Sequence, residues 1–357
     1  MRIRLVQCFL RKTNMMTGVL SPRESGRLIA ETSKDVSVHE EGVRNCAKHI
    51  FDAVKNKKRD LTVHSYRSHE LHPQKMNKAA AEWVFVVDTL NFNFWSENDK
   101  KKFTVKYKDK SYTGYWSLCA AINRALDEGV AITDPSFYAS VTRDELAKIL
   151  RSDSETQIPM LDERLEALHE AGKMLIQKYD GSFVNCVQQC GNKAQNLVKL
   201  VVTDFPMYRD EADYNGKRVS LYKRAQILVA DLWGCFGGED LGEFDDIDTI
   251  TMFADYRVPQ SLVYFGAMKY SDQLMDVLHK DMLFKSGDRM EVEIRGCSIW
   301  ATELITEECK KLKEKDESMK DVTFNAILID NFLWDLRREL ADEMKKIPFH
   351  KIRCIYY

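Results

Sequence analysis

Apolar positions recur along most of the chain at the three- and four-residue spacing of helices that bury one side. Residues 43–54 set the pattern, with Val43, Cys46, Ala47, Ile50 and Phe51 on one face. Ahead of them, Ser21-Pro22-Arg23-Glu24 starts a helix that should reach about residue 31: serine caps, proline sits in the first turn and an acid follows. Residues 75–82 read as helical and lead into an apolar run over 83–90. Further helices are expected over 117–128, ending at Gly129, and over 136–139, 142–150, 161–179, 183–189, 194–205 and 223–233. Thr142-Arg143-Asp144-Glu145 supplies a cap and early acids for one of them. Beyond Pro259 a helix runs to about residue 269 and another covers 271–283, capped by Ser271-Asp272. The last long helices are expected over 298–313 and 324–345.

Alternation with a period of two is scarce. Residues 103–107 and 111–115 flank Lys108-Asp109-Lys110 and predict a β-hairpin, the one sheet read from the pattern. Alternating aromatics in Asn91-Phe92-Asn93-Phe94-Trp95 suggest an extended segment. Residues 55–60 and 64–73 read as turn and loop, 237–248 as a flexible acidic, Gly-rich surface loop, and 287–295 as a connection. The charged stretch 310–321 reads as solvated loop beyond the helix end. Together these give a mostly α, compact helical fold with a small β-hairpin.

Composition narrows the classes. A chain of 357 residues with 44% hydrophobic content has ample material for a core, and no internal repeat appears. Charge nearly cancels, 53 basic against 55 acidic residues, so no strong basic field supports stable duplex binding. Nine cysteines are scattered without paired C-x-x-C sets; Cys186 and Cys190 would share a helix face, but no nearby histidine completes a zinc pattern. They read as reduced thiols of an intracellular protein. No apolar run approaches the ~20 residues of a membrane span. Residues 1–14 carry Arg2, Arg4, Arg11 and Lys12 and no acid, weakly like a mitochondrial presequence, but Met15 and Met16 follow at once. Residues 1–16 are therefore read as an unstructured extension and 17–357 as a single domain, with the cytoplasm as the expected location, the nucleus also open, and both ahead of the mitochondrion.

The chemistry gathers on acids in apolar surroundings. Asp255 sits between Met252-Phe253-Ala254 and Val258-Pro259, at a junction where Pro259 disfavours helix at the residue before it. Such a carboxylate needs a cation, a donor or a ligand. Two readings stand: an Asp255–Arg257 pair or helix cap, or an acid facing a cleft. Residues 324–335 are nearly all apolar yet hold Asp330 and Asp335, with Asn331 on the Asp335 face. Here too a plain reading competes, an Asp335–Arg338 pair with Asp330 capping another element. Lys223 begins a helix, either as a solvated lysine or as a cation for a phosphate or for Asp255. His64, His69 and His72 read by default as structural, and Phe94, Trp95 and Trp116 as core, with the lining of the same pocket as the alternative.

Four stretches carry a resemblance. Phe253-Ala254-Asp255-Tyr256-Arg257-Val258-Pro259-Gln260, Tyr115 to Ala121, Tyr222 to Asp231, and Ile347-Pro348-Phe349-His350 resemble the signatures of the queuosine salvage family, the queuosine 5'-phosphate N-glycosylase/hydrolases. The likeness runs from about residue 20 to the last residue. It implies a helical fold similar to helix-hairpin-helix DNA glycosylases. It also implies hydrolysis of queuosine 5'-monophosphate at the bond between ribose and queuine, a 7-deazaguanine base salvaged into tRNA. Asp335 and Asp255 would be the catalytic carboxylates. His69, Phe253, Asp330, Asn331 and Lys223 would join them in binding substrate, with the Phe253 ring against the base. Many relatives carry tyrosine where this chain has Asn331, and an amide cannot stack as a phenol does. No cofactor and no metal are expected, the partner is a small nucleotide rather than a stable nucleic acid or a membrane, and the oligomeric state is open. A nucleic-acid base glycosylase and a non-catalytic helical adaptor are the alternatives. A 7-deazaguanine has carbon in place of N7, so protonation there cannot activate the leaving base. The load falls on charge stabilisation at the sugar and on hydrogen bonds to the base.

Overall fold

The computed structural model describes residues 18–97 and 101–357, and its helices pack around two hydrophobic cores. The extension expected over residues 1–16 lies outside the described residues. Helices α1 (Pro22–Thr32) and α2 (Glu40–Lys55) belong to one core. The chain then crosses to the other with α3 (Lys78–Thr89), α4 (Tyr115–Asp127), α5 (Pro135–Tyr138), α6 (Arg143–Ile149), α7 (Leu161–Lys178), α8 (Phe183–Gln189), α9 (Ala194–Asp204) and α10 (Lys223–Cys235). It returns with α11 (Val258–Tyr264), α12 (Asp272–His279), α13 (Arg289–Lys313), α14 (Ala326–Glu339) and α15 (Ala341–Met344). Sequence caps act where expected: Ser21 with Glu24, and Thr142 with Glu145, close reciprocal capping boxes. No helix among the described residues is long and apolar enough to cross a membrane.

The hairpin β2 (Thr104–Tyr107) and β3 (Lys110–Thr113) forms as expected. Three further strand pairs correct the expectation of a single small sheet. Strand β1 (Val36–Val38) pairs antiparallel with β6 (Met268–Tyr270), and β7 (Leu283–Phe284) pairs in parallel with β8 (Lys351–Ile352). Strands β4 (Glu211–Tyr214) and β5 (Lys217–Ser220) are joined by Asn215-Gly216, both at positive φ (49° and 75°), the geometry of a two-residue hairpin turn.

Other boundaries move for physical reasons. Residues 289–297, read as part of a connection and its flank, are the first turns of α13. Glu291, Glu293 and Arg295 are buried there, and Arg295 pairs with Glu291 and with Asp210. The helix expected over 271–283 stops at His279, because Leu283 and Phe284 enter a strand pair. The helix expected to reach residue 345 breaks at Leu340 and resumes as α15. Residues 237–248 are no free loop: they make two 3-10 turns and bury Gly242 and Phe244. The loop at 64–73 opens on a 3-10 helix, Val63–Ser68. Residues 91–95 are non-helical as expected, yet form no strand. Arg164, fully buried, donates to the carbonyls of Leu90, Phe92 and Asn93, so that backbone is satisfied without a partner strand.

Candidate active site

Between the two cores lies a cavity of about 560 Å³, within the size range of small-molecule sites. Its walls come from the 59–72 segment, residues 91–96, the end of the β2–β3 hairpin, one face of α10, the 253–257 turn and α14. All seven residues singled out from the sequence border it: His69, Lys223, Phe253, Asp255, Asp330, Asn331 and Asp335.

Helix α10 presents Lys223, Ile227 and Asp231, four residues apart, along one stripe of the wall. Its start is strained and held. Tyr222 is left-handed (φ 46°, ψ 39°), an outlier for a bulky residue, and its hydroxyl donates to Glu211 Oε1 at 2.6 Å. The Lys223 backbone N–H donates to Asp210 Oδ2 at 3.1 Å. Asp210 is gripped in turn by both terminal nitrogens of Arg295, at 3.0 and 2.5 Å. Arg295 Nε donates to the Ala254 carbonyl at 2.9 Å, next to Asp255. One guanidinium on α13 therefore fixes both the lysine's helix and the aspartate's turn.

Asp255 carries both of its sequence readings at once. Oδ1 accepts the backbone N–H groups of Arg257 and Val258, each at 2.8 Å, and so closes the entry to α11, where Pro259 has no N–H to offer. The second oxygen is left for the cavity. No Asp255–Arg257 ion pair forms among the described residues; the Arg257 guanidinium lies over the rings of Phe349 (4.2 Å) and Tyr256 (5.2 Å). Asp330 is sealed at 4% exposure, and its Oδ1 accepts the Phe253 backbone N–H at 3.1 Å. Burial, and then the charge of Asp255, hold its carboxyl well above the usual carboxylate range. Burial pushes Lys223 down from the usual lysine range, opposed chiefly by Asp255 and then Asp88. Its place among acids fits the pairing role weighed for it, away from the arginines of the rim.

Asp335 stands at the mouth with 55% of its side chain accessible. Its cation is Arg59, at 3.8 Å, and not Arg338, whose guanidinium lies over Trp334 at 4.9 Å. Arg59 also pairs with Glu339 and sits over the Phe332 ring. Partial desolvation within the mouth raises the Asp335 carboxyl, and Arg59 opposes that rise.

Rings complete the walls. His69 stacks on Trp116 (centroids 3.4 Å, planes 9° apart), and Trp116 meets Trp334 edge-on. Burial lowers His69 from its ordinary value, which favours the neutral imidazole. Phe94, Trp95 and Trp116 combine both readings: all three border the cavity, while Trp95 is buried in one core and Phe94 and Trp116 pack against the other. His72 keeps its structural role: Nδ1 meets the Tyr66 carbonyl and Nε2 the Tyr115 hydroxyl, and burial depresses it to about 3. The sequence reading passed over Asp231, which repeats the Lys223 face two turns on, so helical spacing could have found it. It passed over Arg59 too, which sits in a charged turn with no local sign of the acid it meets.

The family model described as "Queuosine salvage protein" matches residues 71–357. The chain is also similar along nearly its whole length to proteins named queuosine 5'-phosphate N-glycosylase/hydrolase. It is 51% identical to the one from Mus musculus over 339 residues, covering 95% of this chain and 99% of the relative. It is 51% identical to that of Bos taurus over 343 residues (96% and 100%), and 42% identical to that of Schizosaccharomyces pombe over 354 residues (94% and 99%). The chain belongs to the queuosine salvage protein family.

Proposed function

We propose that the chain hydrolyses the N-glycosidic bond of queuosine 5'-monophosphate, releasing queuine and ribose 5-phosphate. The observation that carries this reading is the meeting of Asp255, Asp330 and Asp335 in one ring-lined cavity, although the first is 75 or more residues from the others. Breaking the bond builds an oxocarbenium-like charge on the ribose, and an ionised carboxylate beside C1' stabilises it or directs water. Asp335, half in solvent and facing Arg59, keeps its charge and takes that role. Asp255 offers its free oxygen to the same cationic sugar. Asp330, held neutral, donates a hydrogen bond to the base, whose face lies against Phe253. Arg257 and Arg338 on the rim meet the 5'-phosphate. Asn331 borders the mouth and contributes a hydrogen bond in place of a stacking ring. The helical build and the facing of Lys223 toward Asp255 also support kinship of fold with helix-hairpin-helix glycosylases.

The test is incubation of the protein with queuosine 5'-monophosphate and detection of free queuine by mass. Asp335→Asn and Asp255→Asn should each lower turnover at least ~10²-fold, the scale of one lost electrostatic stabiliser. Near-wild-type rates in both would end this assignment.

A further inference from the structure

We propose that Asp231 is the acid that protonates the departing base, and that Asp88, packed behind it, keeps it ready to do so. The inference rests on the hydrolase reading above and supplies a step which that reading leaves open. When the C1'–N9 bond breaks, its electron pair stays with a heterocycle that has carbon where a purine would take up a proton. A proton must arrive as the bond opens, from a group on the cavity wall that still carries one at neutral pH.

Three observations select Asp231. It borders the cavity two turns along α10 from Lys223, and among the described residues its carboxyl makes no hydrogen bond to protein. Asp255 and Asp330, by contrast, each have one oxygen committed to backbone N–H groups. Behind the wall, Asp88 on α3 is 0% exposed; Oδ1 accepts from Asn91 and Oδ2 has no partner. The buried Tyr66 hydroxyl also lacks a partner.

The surroundings fix the charge. Asp88 faces Asp231 from α3, Tyr66 from the 63–68 turn, Tyr115 and Cys119 from α4, and Lys223 and Cys235 from its own helix. Two neighbouring desolvated carboxyls do not both ionise. Burial and the charge of Asp88 hold Asp231 well above the usual range, with Lys223 opposing. In the step itself, the C1'–N9 pair moves onto the base, and Asp231 gives its proton to N3, the ring nitrogen separated from N9 by C4 alone. Water forms the new C1'–O bond and loses a proton to the Asp335 carboxylate. Solvent then returns Asp231 to its acid form and Asp335 to its base form.

The experiment is the pH profile of kcat for queuosine 5'-monophosphate from about pH 5 to 10, with folding checked by circular dichroism and thermal melting. The wild-type rate should fall on the alkaline side. Asp231→Asn should lower kcat about 10²- to 10⁴-fold and remove that fall, while Asp231→Glu recovers part of both. Asp88→Asn, which deletes the charge that raises Asp231, should move the fall to lower pH. An Asp231→Asn enzyme within threefold of wild type, or one that keeps the alkaline fall, overturns the proposal. If Asp231→Asn does not fold, an unmoved fall in Asp88→Asn overturns it instead. A wild-type chain that releases no queuine removes the hydrolase reading and this step together; release by the wild type with no change in either variant removes this step alone.

Discussion

Asp330 and Asp335 leave the same helix five residues apart, yet one is sealed in the inner wall of the cavity and the other stands in its mouth. The inner wall holds Asp330, Asp231 and Lys223, all desolvated, with charges suppressed on the acids and discouraged on the lysine. The mouth holds Asp335, Arg59, Arg257 and Arg338, wetter and openly ionic. The same residue type meets different surroundings at the two ends: burial alone dominates for Asp330, whereas at Asp335 a nearby cation opposes the rise that desolvation causes. The lesson is a division of labour by depth. Neutral acids suit a heterocycle with carbonyl, amino and ring-nitrogen groups; ionised groups suit a cationic sugar and a phosphate.

The sharpest way to break this contrast is to alter charge at the mouth alone. Asp335→Asn should cost at least ~10²-fold in kcat while leaving the melting temperature close to wild type, because the side chain is half in solvent. A large loss of stability instead would make Asp335 a structural acid. Next in size is a split between the two ends. Arg257→Ala should raise KM for the 5'-phosphate about tenfold or more and leave the unphosphorylated nucleoside unchanged, as expected for one lost charge-assisted contact. Lys223→Ala should slow both substrates alike; a loss confined to the nucleotide would return the phosphate to the inner wall.

A smaller effect separates charge from position. The role proposed for Asp335 requires its ionised form, so activity should rise with pH through its raised pKa, which Arg59 holds down. Arg59→Met should therefore shift the acid limb of the rate profile toward higher pH, costing most below neutrality. A shift the other way, or none, would detach Arg59 from Asp335. The smallest effect belongs to the sealed acid. Asp330→Asn keeps an acceptor for the Phe253 N–H and should alter stability by less than about 1 kcal/mol, whereas Asp330→Ala leaves that N–H unmet at about 1–3 kcal/mol. Urea melts of the two variants measure the difference.

Much of the mouth and some of the wall were legible in the sequence because acids in an apolar run are conspicuous. Asp330, Asp335 and Asp255 stand out for that reason, the first two on a helix that Asn325 caps by accepting from the Leu328 N–H. What stayed hidden depends on partners distant in sequence. Arg59 looks like part of a charged turn until α14 is folded against it. Residues 289–297 look solvated because Glu291 and Arg295 are charged, and only Asp210, 85 residues away from Arg295, explains their burial. Asn215-Gly216 was a readable turn signal for a second hairpin, and the sequence reading passed over it. Trp116 could be read as core or as cavity lining because a ring on a cavity wall and a ring in a core have the same spacing on a helix, and it serves as both.

Arg295 touches no part of the cavity surface, yet it ties the Ala254 carbonyl to the Asp210 cap of α10. The spacing between Lys223 and Asp255 is thus a property of a third helix. Variants that reshape the rim through α14 can change which sugars or phosphates enter without disturbing that spacing. A redesign that begins at α13 would loosen both ends of it together, and its failure would look like damaged chemistry while the reacting groups themselves were intact.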